Sequence, residues 1–573
     1  MKRCPECRRD YYDDTLAFCL EDGSALVQGA VPPPSESADG PATAILHTTD
    51  AIGDAPTRER IHTTQGTAVL PSPDVDVRKE KSFDKRLLAF PLLIAFIVLG
   101  GFFGYRYLGS STSRPISSIA VLPFENAGGT ADSEYLSDGL AESLIYRLSQ
   151  IPELKVSPRS SVFRYKGKNI DAEQVGSELG VDAVMSGRMV QRGDNLTISV
   201  DLVDVRNKKT LWGEQFERKM ADLLSTQREI ASAITDKLQI RLTGDDGKGV
   251  TKKYTDSNEA YQAYLKGRYY WNRRRAVNLK KAIEEFKIAT EKDPNFALAF
   301  VGLADSHALL GEYAGGPTSE TLPQAKVYAE RALALDSGLG EVRATLGMIA
   351  DYSWQWEEAE KEFNLAIEAN PNYPTTYHWY SVSLKALGRF DQADAMIRRA
   401  YELDPVSSVI SVNITRMLQI QNRDEEAIRH TLKLIELDPN FPAAYQYIAL
   451  SYIRLGRIAE AIASAERSVE MSNRSGSSLG DLGYVYALAG RKDDAKSVIK
   501  ELESKYSRRE AKPLFIAVTY AGLGDKDKML EWLEKGLEER SGQLAEIRWQ
   551  MPFDPYRDEP RFKDLLRGMN LPG

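Results

Sequence analysis

The sequence predicts a multidomain chain that is mainly α. It reads as an α-solenoid of 34-residue repeats, a smaller α/β layer domain before it, one transmembrane helix, and a short cysteine-bearing knuckle at the amino terminus. Three observations predict this. Residues 87–105, LLAFPLLIAFIVLGGFFGY, hold nineteen positions without a charge. Asp-Pro or a stand-in recurs at Pro294, Ser337, Pro371, Pro405, Pro439 and Asn473, with a first interval of 43 residues and four further intervals of 34. All three cysteines fall before residue 20.

The apolar run comes first, because it divides the chain. As a helix rising about 1.5 Å per residue it reaches roughly 28 Å, close to the hydrocarbon thickness of a bilayer. Pro91, Gly100, Gly101 and Gly104 suit a membrane helix better than a soluble one. Arg78, Lys79, Lys81, Lys85 and Arg86 precede the run, and only Arg106 and Arg114 follow closely. Lys and Arg stay on the cytoplasmic side. The expected topology is single-pass in the inner (cytoplasmic) membrane, with the amino terminus cytoplasmic and the carboxy-terminal domains periplasmic or otherwise extracytoplasmic. The net charge of −8 gives no global case for nucleic acid.

Residues 1–28 carry Cys4 and Cys7 as a CxxC knuckle, with Cys19 opening a second half, CLEDG. Two thiolates at that spacing reach one tetrahedral ion, and zinc also accepts a carboxylate oxygen. Asp22 stands where a fourth cysteine would sit, so the candidate ligands are Cys4, Cys7, Cys19 and Asp22, with Zn2+ in a structural role. The stretch resembles the short zinc ribbons of bacterial membrane and signalling proteins, from which it departs at Asp22. Residues 29–85 are rich in Pro, Ser, Thr, Ala and Gly and poor in large apolar side chains. They read as a disordered cytoplasmic linker leading to the span at 86–108.

Residues 115–245 alternate strand and helix patterns. SIAVLPF (118–124) is a strand and 133–151 a helix with apolar positions at Leu136, Leu140, Leu144 and Leu148. LKVSP is a second strand, and AEQVGSELG a helix ended by Gly180. Residues 183–205 form a hairpin turning at Arg192-Gly193-Asp194-Asn195. TLWGEQFERKM is a strand, and a helix from 223 closes the domain. IAVLPFENAGG, EYLSDGLAESLIYRLSQIPELKV, SSVFRYKGK, ELGVDAVMSGRM and DVRNKKTLWGEQFER are similar to the TolB amino-terminal-like domain of bacterial signalling proteins. The resemblance implies an α/β fold beside a repeat array. In that family a winged helix, nucleotide cyclase or protein kinase sits elsewhere in the chain. It implies no catalytic residues.

Residues 257–541 carry the period. Gly388, Gly456, Gly490 and Gly524 lie on the same 34-residue grid, with Asn422 filling the missing step. Ala359, Phe363 and Ala366 are followed after 34 residues by Ala393, Ile397 and Ala400, and Ala282, Phe286 and Ala289 repeat the set. Thirty-four is the tetratricopeptide (TPR) period, and about eight units are expected. The nine extra residues of the second unit, within 311–322, are expected in the turn between its helices. A solenoid of this kind offers its inner face to a peptide or partner helix. Counting along the grid places His378, Lys385, Arg416, Gln419, Gln446 and Arg454 in that groove. Three cations in successive units suit an acidic peptide or terminal carboxylate, against the alternative that they are ordinary solvated residues. Residues 542–573, with Trp549, Phe553, Phe562 and Leu565, should cap the last helix.

No HExxH, nucleophile elbow, GxGxxG after a strand, HRD or DFG is present, so no enzyme activity is expected. The expected function is a membrane-anchored protein–protein interaction scaffold of an envelope signalling or assembly complex. The competing class is a membrane-bound transcription regulator or signalling protein with the ribbon on nucleic acid.

Overall fold

The computed structural model describes residues 116–571, apart from 129–132, 152, 169–170, 239–251, 274 and 314–317, together with three short strands before residue 29. The chain divides into two compact units, 1–105 and 106–573. In the first, β1 (Lys2–Arg3) pairs antiparallel with β2 (Asp10–Tyr11) and with β3 (Val27–Gln28). The metal set expected at Cys4, Cys7, Cys19 and Asp22 and the span expected at 86–108 lie outside the described residues. Among the described residues no helix is long and apolar enough to cross a membrane.

The second unit begins with a mixed sheet. Its strands are β4 (Ser118–Val121), β5 (Glu125–Asn126), β6 (Lys155–Val156), β7 (Ala183–Arg192), β8 (Asn195–Asp204) and β9 (Lys209–Lys219). The order is β6-β4-β7-β8-β9, with β5 beside β7. β4 runs parallel to β6 and β7, whereas β7, β8 and β9 are antiparallel. Parallel neighbours need a crossover, and α1 (Glu134–Ser149) supplies the first. The hairpin turns where expected, with Arg192 opposite Asn195 and Gly193 at φ +61°. α3 (Ala172–Leu179) is capped by the Asp171 carboxylate on the Glu173 N–H and ends at Gly180 in the left-handed region. α4 (Leu223–Lys237) closes the layer. The core joins Ile119, Val121, Leu140, Leu144, Val184, Ile198, Leu202, Ile230 and Ile234, all fully buried or within 1 % of it. Two short elements had no clear sequence signal: β5, and α2 (Arg159–Phe163), a five-residue helix.

Eight helix pairs follow among the described residues. The first two are α5 (Asn258–Trp271) with α6 (Ala276–Lys292), and α7 (Ala297–Tyr313) with α8 (Thr318–Leu335). Next come α9 (Gly340–Tyr352) with α10 (Trp356–Ala369), and α11 (Pro374–Ala386) with α12 (Phe390–Leu403). The fifth and sixth are α13 (Ser408–Ile420) with α14 (Asp424–Leu437), and α15 (Pro442–Arg454) with α16 (Ile458–Met471). The last are α17 (Gly476–Leu488) with α18 (Lys492–Ser507), and α19 (Pro513–Leu523) with α20 (Lys526–Glu538).

The in-phase alanines explain the packing. Ala282, Ala325, Ala359, Ala393, Ala427, Ala461 and Ala495 have no more than 0 % of their surface exposed, so the helices of each pair approach over a methyl group. Phe286 fills the space between successive pairs. A Cβ on Gly267 or Gly302 would lie 2.5 Å from its ring, so only glycine fits on either side. In pairs three to eight the turn inside the pair holds one residue at positive φ. Gly388, Gly456, Gly490 and Gly524 supply it, Asn422 does so at +57°, and Trp354 does so at +58°. Trp354 sits on the same grid but gives no sequence sign of the role. Of residues 311–322, where the extra residues of the second pair were expected in a turn, 311–313 lie in α7 and 318–322 in α8, which run to 17 and 18 residues.

Candidate functional site

The inner face of the array is lined by the first helix of each pair, and two other parts of the same unit lie against it. The α/β domain meets the first repeats. Glu142 of α1 takes Arg268 Nη2 at 2.6 Å, Arg159 Nε at 3.1 Å and Asn272 Nδ2 at 2.7 Å. Tyr261 donates to Ser143 Oγ at 2.8 Å, and Leu265 packs so closely on Gly139 that a Cβ there would lie 2.9 Å away. Farther along, Ser161 donates to Asp404 Oδ1 at 2.8 Å and Ser160 to its other oxygen.

The carboxy-terminal segment covers the other half. It forms two 3-10 turns, Gly542–Arg548 and Met551–Tyr556, then α21 (Pro560–Gly568). α21 packs on α20, with Leu537 close under Gly568. The 3-10 turns go elsewhere, into the groove. Glu546 pairs with Arg416 at 2.8 Å. The Trp549 ring centre lies 4.3 Å from the Arg416 guanidinium and 4.8 Å from Lys385 Nζ. Met551 Sδ accepts from Arg454 Nε at 3.0 Å, and Trp356 Nε1 donates to the Met569 carbonyl at 2.9 Å. Leu544, Ile547, Phe553 and Phe562 are fully buried. At about 1.5–3 kcal/mol each, they contribute roughly 6–12 kcal/mol, a range that spans the ~8 kcal/mol of a micromolar peptide. With these side chains buried, the tail forms a wall of the site.

Of the six groove residues picked from spacing, His378, Arg416, Gln419, Gln446 and Arg454 border the larger open space and Lys385 is buried, and each has a partner in the chain. Lys385 is fully buried and donates to Asn413 Oδ1 at 3.0 Å; burial, with Arg416 nearby, holds its pKa well below the lysine range. Asn413 Nδ2 donates in turn to His378 Nε2 at 3.0 Å. Gln419 reaches the Tyr447 carbonyl at 2.7 Å and Ser451 Oγ at 2.9 Å. Gln446 donates to Asp481 Oδ2 at 2.8 Å. Arg454 faces Asp424 at 3.3 Å and the Gln419 carbonyl at 2.9 Å. The acidic group that meets the cations at Arg416 is thus Glu546, 130 residues away in sequence, a contact that local spacing cannot reveal.

Spacing missed two carboxyl groups. Asp351 is buried, which pushes its pKa up to about 7, and burial raises Asp481 to about 6. The signal was present: Asp351 lies 34 residues before Lys385, and Asp481 lies 34 after Tyr447.

Two open spaces border these walls. One, of about 1050 Å3, is bounded by the tail and repeats three to eight. The other, of about 440 Å3, lies between the α/β domain and the first repeats. His378, Trp379 and Val409 border both. Among the described residues no cluster of His, Cys, Asp and Glu is arranged to hold a metal ion.

Comparison with known proteins agrees with the repeat assignment. Residues 374–407, 430–463 and 448–507 each match tetratricopeptide repeat families. Residues 115–233, where a TolB amino-terminal-like domain was expected, match instead the second domain of the HilA/YgeH-like transcriptional regulators. The chain carries tetratricopeptide repeats, matched in three stretches, and the matched residues 115–233 in front of them fold as a small mixed α/β sheet layer.

A curated relative, putative adenylate cyclase 3 of Rhizobium meliloti (strain 1021), is 30 % identical over 246 residues, 42 % of this chain and 42 % of the relative. The match thus spans less than half of that relative's length. Solved structures that resemble the chain include Pseudomonas aeruginosa PilF, 18 % identical over 38 % of this chain and 93 % of that one, with a TM-score of 0.31. YrrB, a TPR protein with an unusual peptide-binding site, is 19 % identical over 32 % and 91 %, with a TM-score of 0.24. The type IV pilus biogenesis factor PilW is 18 % identical over 40 % and 98 %, with a TM-score of 0.28.

Proposed function

We propose that the protein is a single-pass scaffold of an envelope signalling or assembly complex. In this reading it is anchored by residues 86–108 and binds a protein or peptide partner in the part of its concave face that the tail leaves open. One observation carries the reading. Val409, at 46 % exposure, and the part-exposed Trp379, Phe441 and Phe515 border the larger open space, where an apolar surface meets a polar floor. Such a combination suits a partner that brings both an apolar anchor and hydrogen-bonding groups. Lys385 and Arg416 serve the internal wall, so the partner's contact shifts from them to this ridge. The expected zinc on Cys4, Cys7, Cys19 and Asp22 belongs to the same reading as a structural element, as does the absence of a catalytic step. Metal content of the purified chain checks the first.

The test is crosslinking in native membranes with the wild-type chain and with Val409→Glu and Phe441→Ala. The partners captured by the wild type should be lost from both variants while their folding is retained. Identical partner sets in all three would refute the groove reading. A carboxy-terminal reporter active only outside the cytoplasm is the topology expected.

The second reading is a regulator that touches nucleic acid through the amino-terminal segment, and it draws support from the match of residues 115–233 to a regulator domain. A gel shift of the full chain with zinc, across several salt concentrations, separates the two. A salt-dependent shift favours the regulator.

A further inference from the structure

The chamber between the α/β domain and the first repeats holds about 440 Å3, within the roughly 300–1,000 Å3 of small-molecule sites, which favour boundaries between domains. Its charged groups are largely committed. Glu142, Arg159 and Arg268 satisfy one another. Arg147 donates to the Lys252 carbonyl at 2.8 Å and stands 5.3 Å from the Tyr254 ring centre.

Glu341 differs from these. Its Oε1 accepts from two neutral amides, Asn370 Nδ2 at 2.8 Å and Gln150 Nε2 at 3.4 Å. Its Oε2 is shut off from solvent and accepts nothing. Burial leaves this carboxyl with a raised pKa. Three phenols line the same chamber, near enough for the Glu341 charge to act on them. Burial raises the pKa of Tyr146, Tyr254 and Tyr373, and the nearby Glu341 adds to each shift. A carboxyl group with a spare acceptor and no salt-bridge partner, in a chamber lined by tyrosine side chains, is complementary to a cation. An anion would find the arginines already engaged.

We propose that this chamber is a binding site for a small organic cation, an amine whose ammonium group sits on Glu341 while its carbon body packs among Tyr146, Tyr254 and Tyr373. Such a ligand touches the α/β domain and the repeat array together, so binding it tightens the junction between them. This goes beyond the partner-binding reading and does not depend on it, since Glu341 and the three tyrosines lie outside the larger space, although Trp379 and Val409 border both.

The test uses the full chain, purified in detergent, with phenethylamine as the probe. 2-Phenylethanol serves as its neutral counterpart and 3-phenylpropionate as its anionic one. Calorimetry and thermal unfolding should show the amine binding and raising the unfolding temperature, with the alcohol and the acid at least tenfold weaker. Glu341→Gln, which keeps an oxygen for Asn370, should weaken the amine by about tenfold or more, the loss expected when a charge-assisted bond becomes a neutral one. The proposal is overturned if the acid or alcohol binds as well as the amine, or if Glu341→Gln binds it unchanged. It is equally overturned if no amine binding is detected up to about 10 mM, the weak end of specific affinity. Should the variant fail to fold, the three-ligand series on the unaltered chain decides alone.

Discussion

Replacing Glu546 by Gln tests whether the tail is a wall of the groove. The Glu546 side chain is 19 % exposed and its partner Arg416 10 %, so the pair is largely out of water. Removing one charge strands the other guanidinium, and breaking such a buried pair costs about 3–5 kcal/mol. Arg416 keeps the ring faces of Trp549 at 4.3 Å and Tyr447 at 4.7 Å, which places the expected cost near the lower end, about 3 kcal/mol. With a urea dependence of about 3 kcal/mol per molar, the unfolding midpoint falls by roughly 1 M. Tryptophan fluorescence follows it directly, because Trp549 lies on the same guanidinium. The double variant Glu546→Leu, Arg416→Met should recover most of the loss, since apolar replacement of a buried pair is often neutral. A loss below about 1 kcal/mol in the single variant would make this an ordinary surface bridge and refute the argument.

Three further outcomes are expected. Gly456→Ala should cost about 1–2 kcal/mol in denaturant unfolding, because φ is +74° with nothing within 4 Å of the new Cβ, leaving backbone strain as the whole effect. Ala393→Leu should cost about 1–3 kcal/mol or displace α11 from α12, as Ala393 is fully buried between them. The third concerns pH. Asp351 has a folded pKa near 7 against an unfolded value near 3.9, so between those values the folded state holds the extra proton. Its contribution is therefore present at low pH and is lost as pH rises from about 4 to about 7. Lys385, lowered by burial, acts in the opposite sense, its contribution growing with pH up to the ordinary lysine value. Asp351→Asn should flatten the fall between pH 4 and 7, read as the wild-type-minus-variant difference in unfolding midpoint. An unchanged difference across that window would refute the assignment.

The helix pairs were legible because each one is a local solution repeated in phase. Ala359 and Ala393, or Gly456 and Gly490, occupy the same place in successive turns, and 3.6-residue periodicity brings their faces together without distant partners. The α/β layer was legible for a similar reason, since a turn such as Arg192 to Asn195 fixes the register of its own hairpin. Trp354 escaped notice because its left-handed backbone comes from the turn it occupies, against its own preference.

The sequence by itself determined that an array of paired helices exists and which small residues let the helices of each pair approach, Ala359 and Ala393 among them. Only the tertiary structure decided what the groove side chains meet. Glu546 and Trp549 reach Arg416 after 130 and 133 residues, and Ser161 reaches Asp404 after 243. Such partners are chosen by the superhelical path that the repeats sum to. Small rotations accumulated over eight pairs bring the tail back into the groove, and no local pattern records their total.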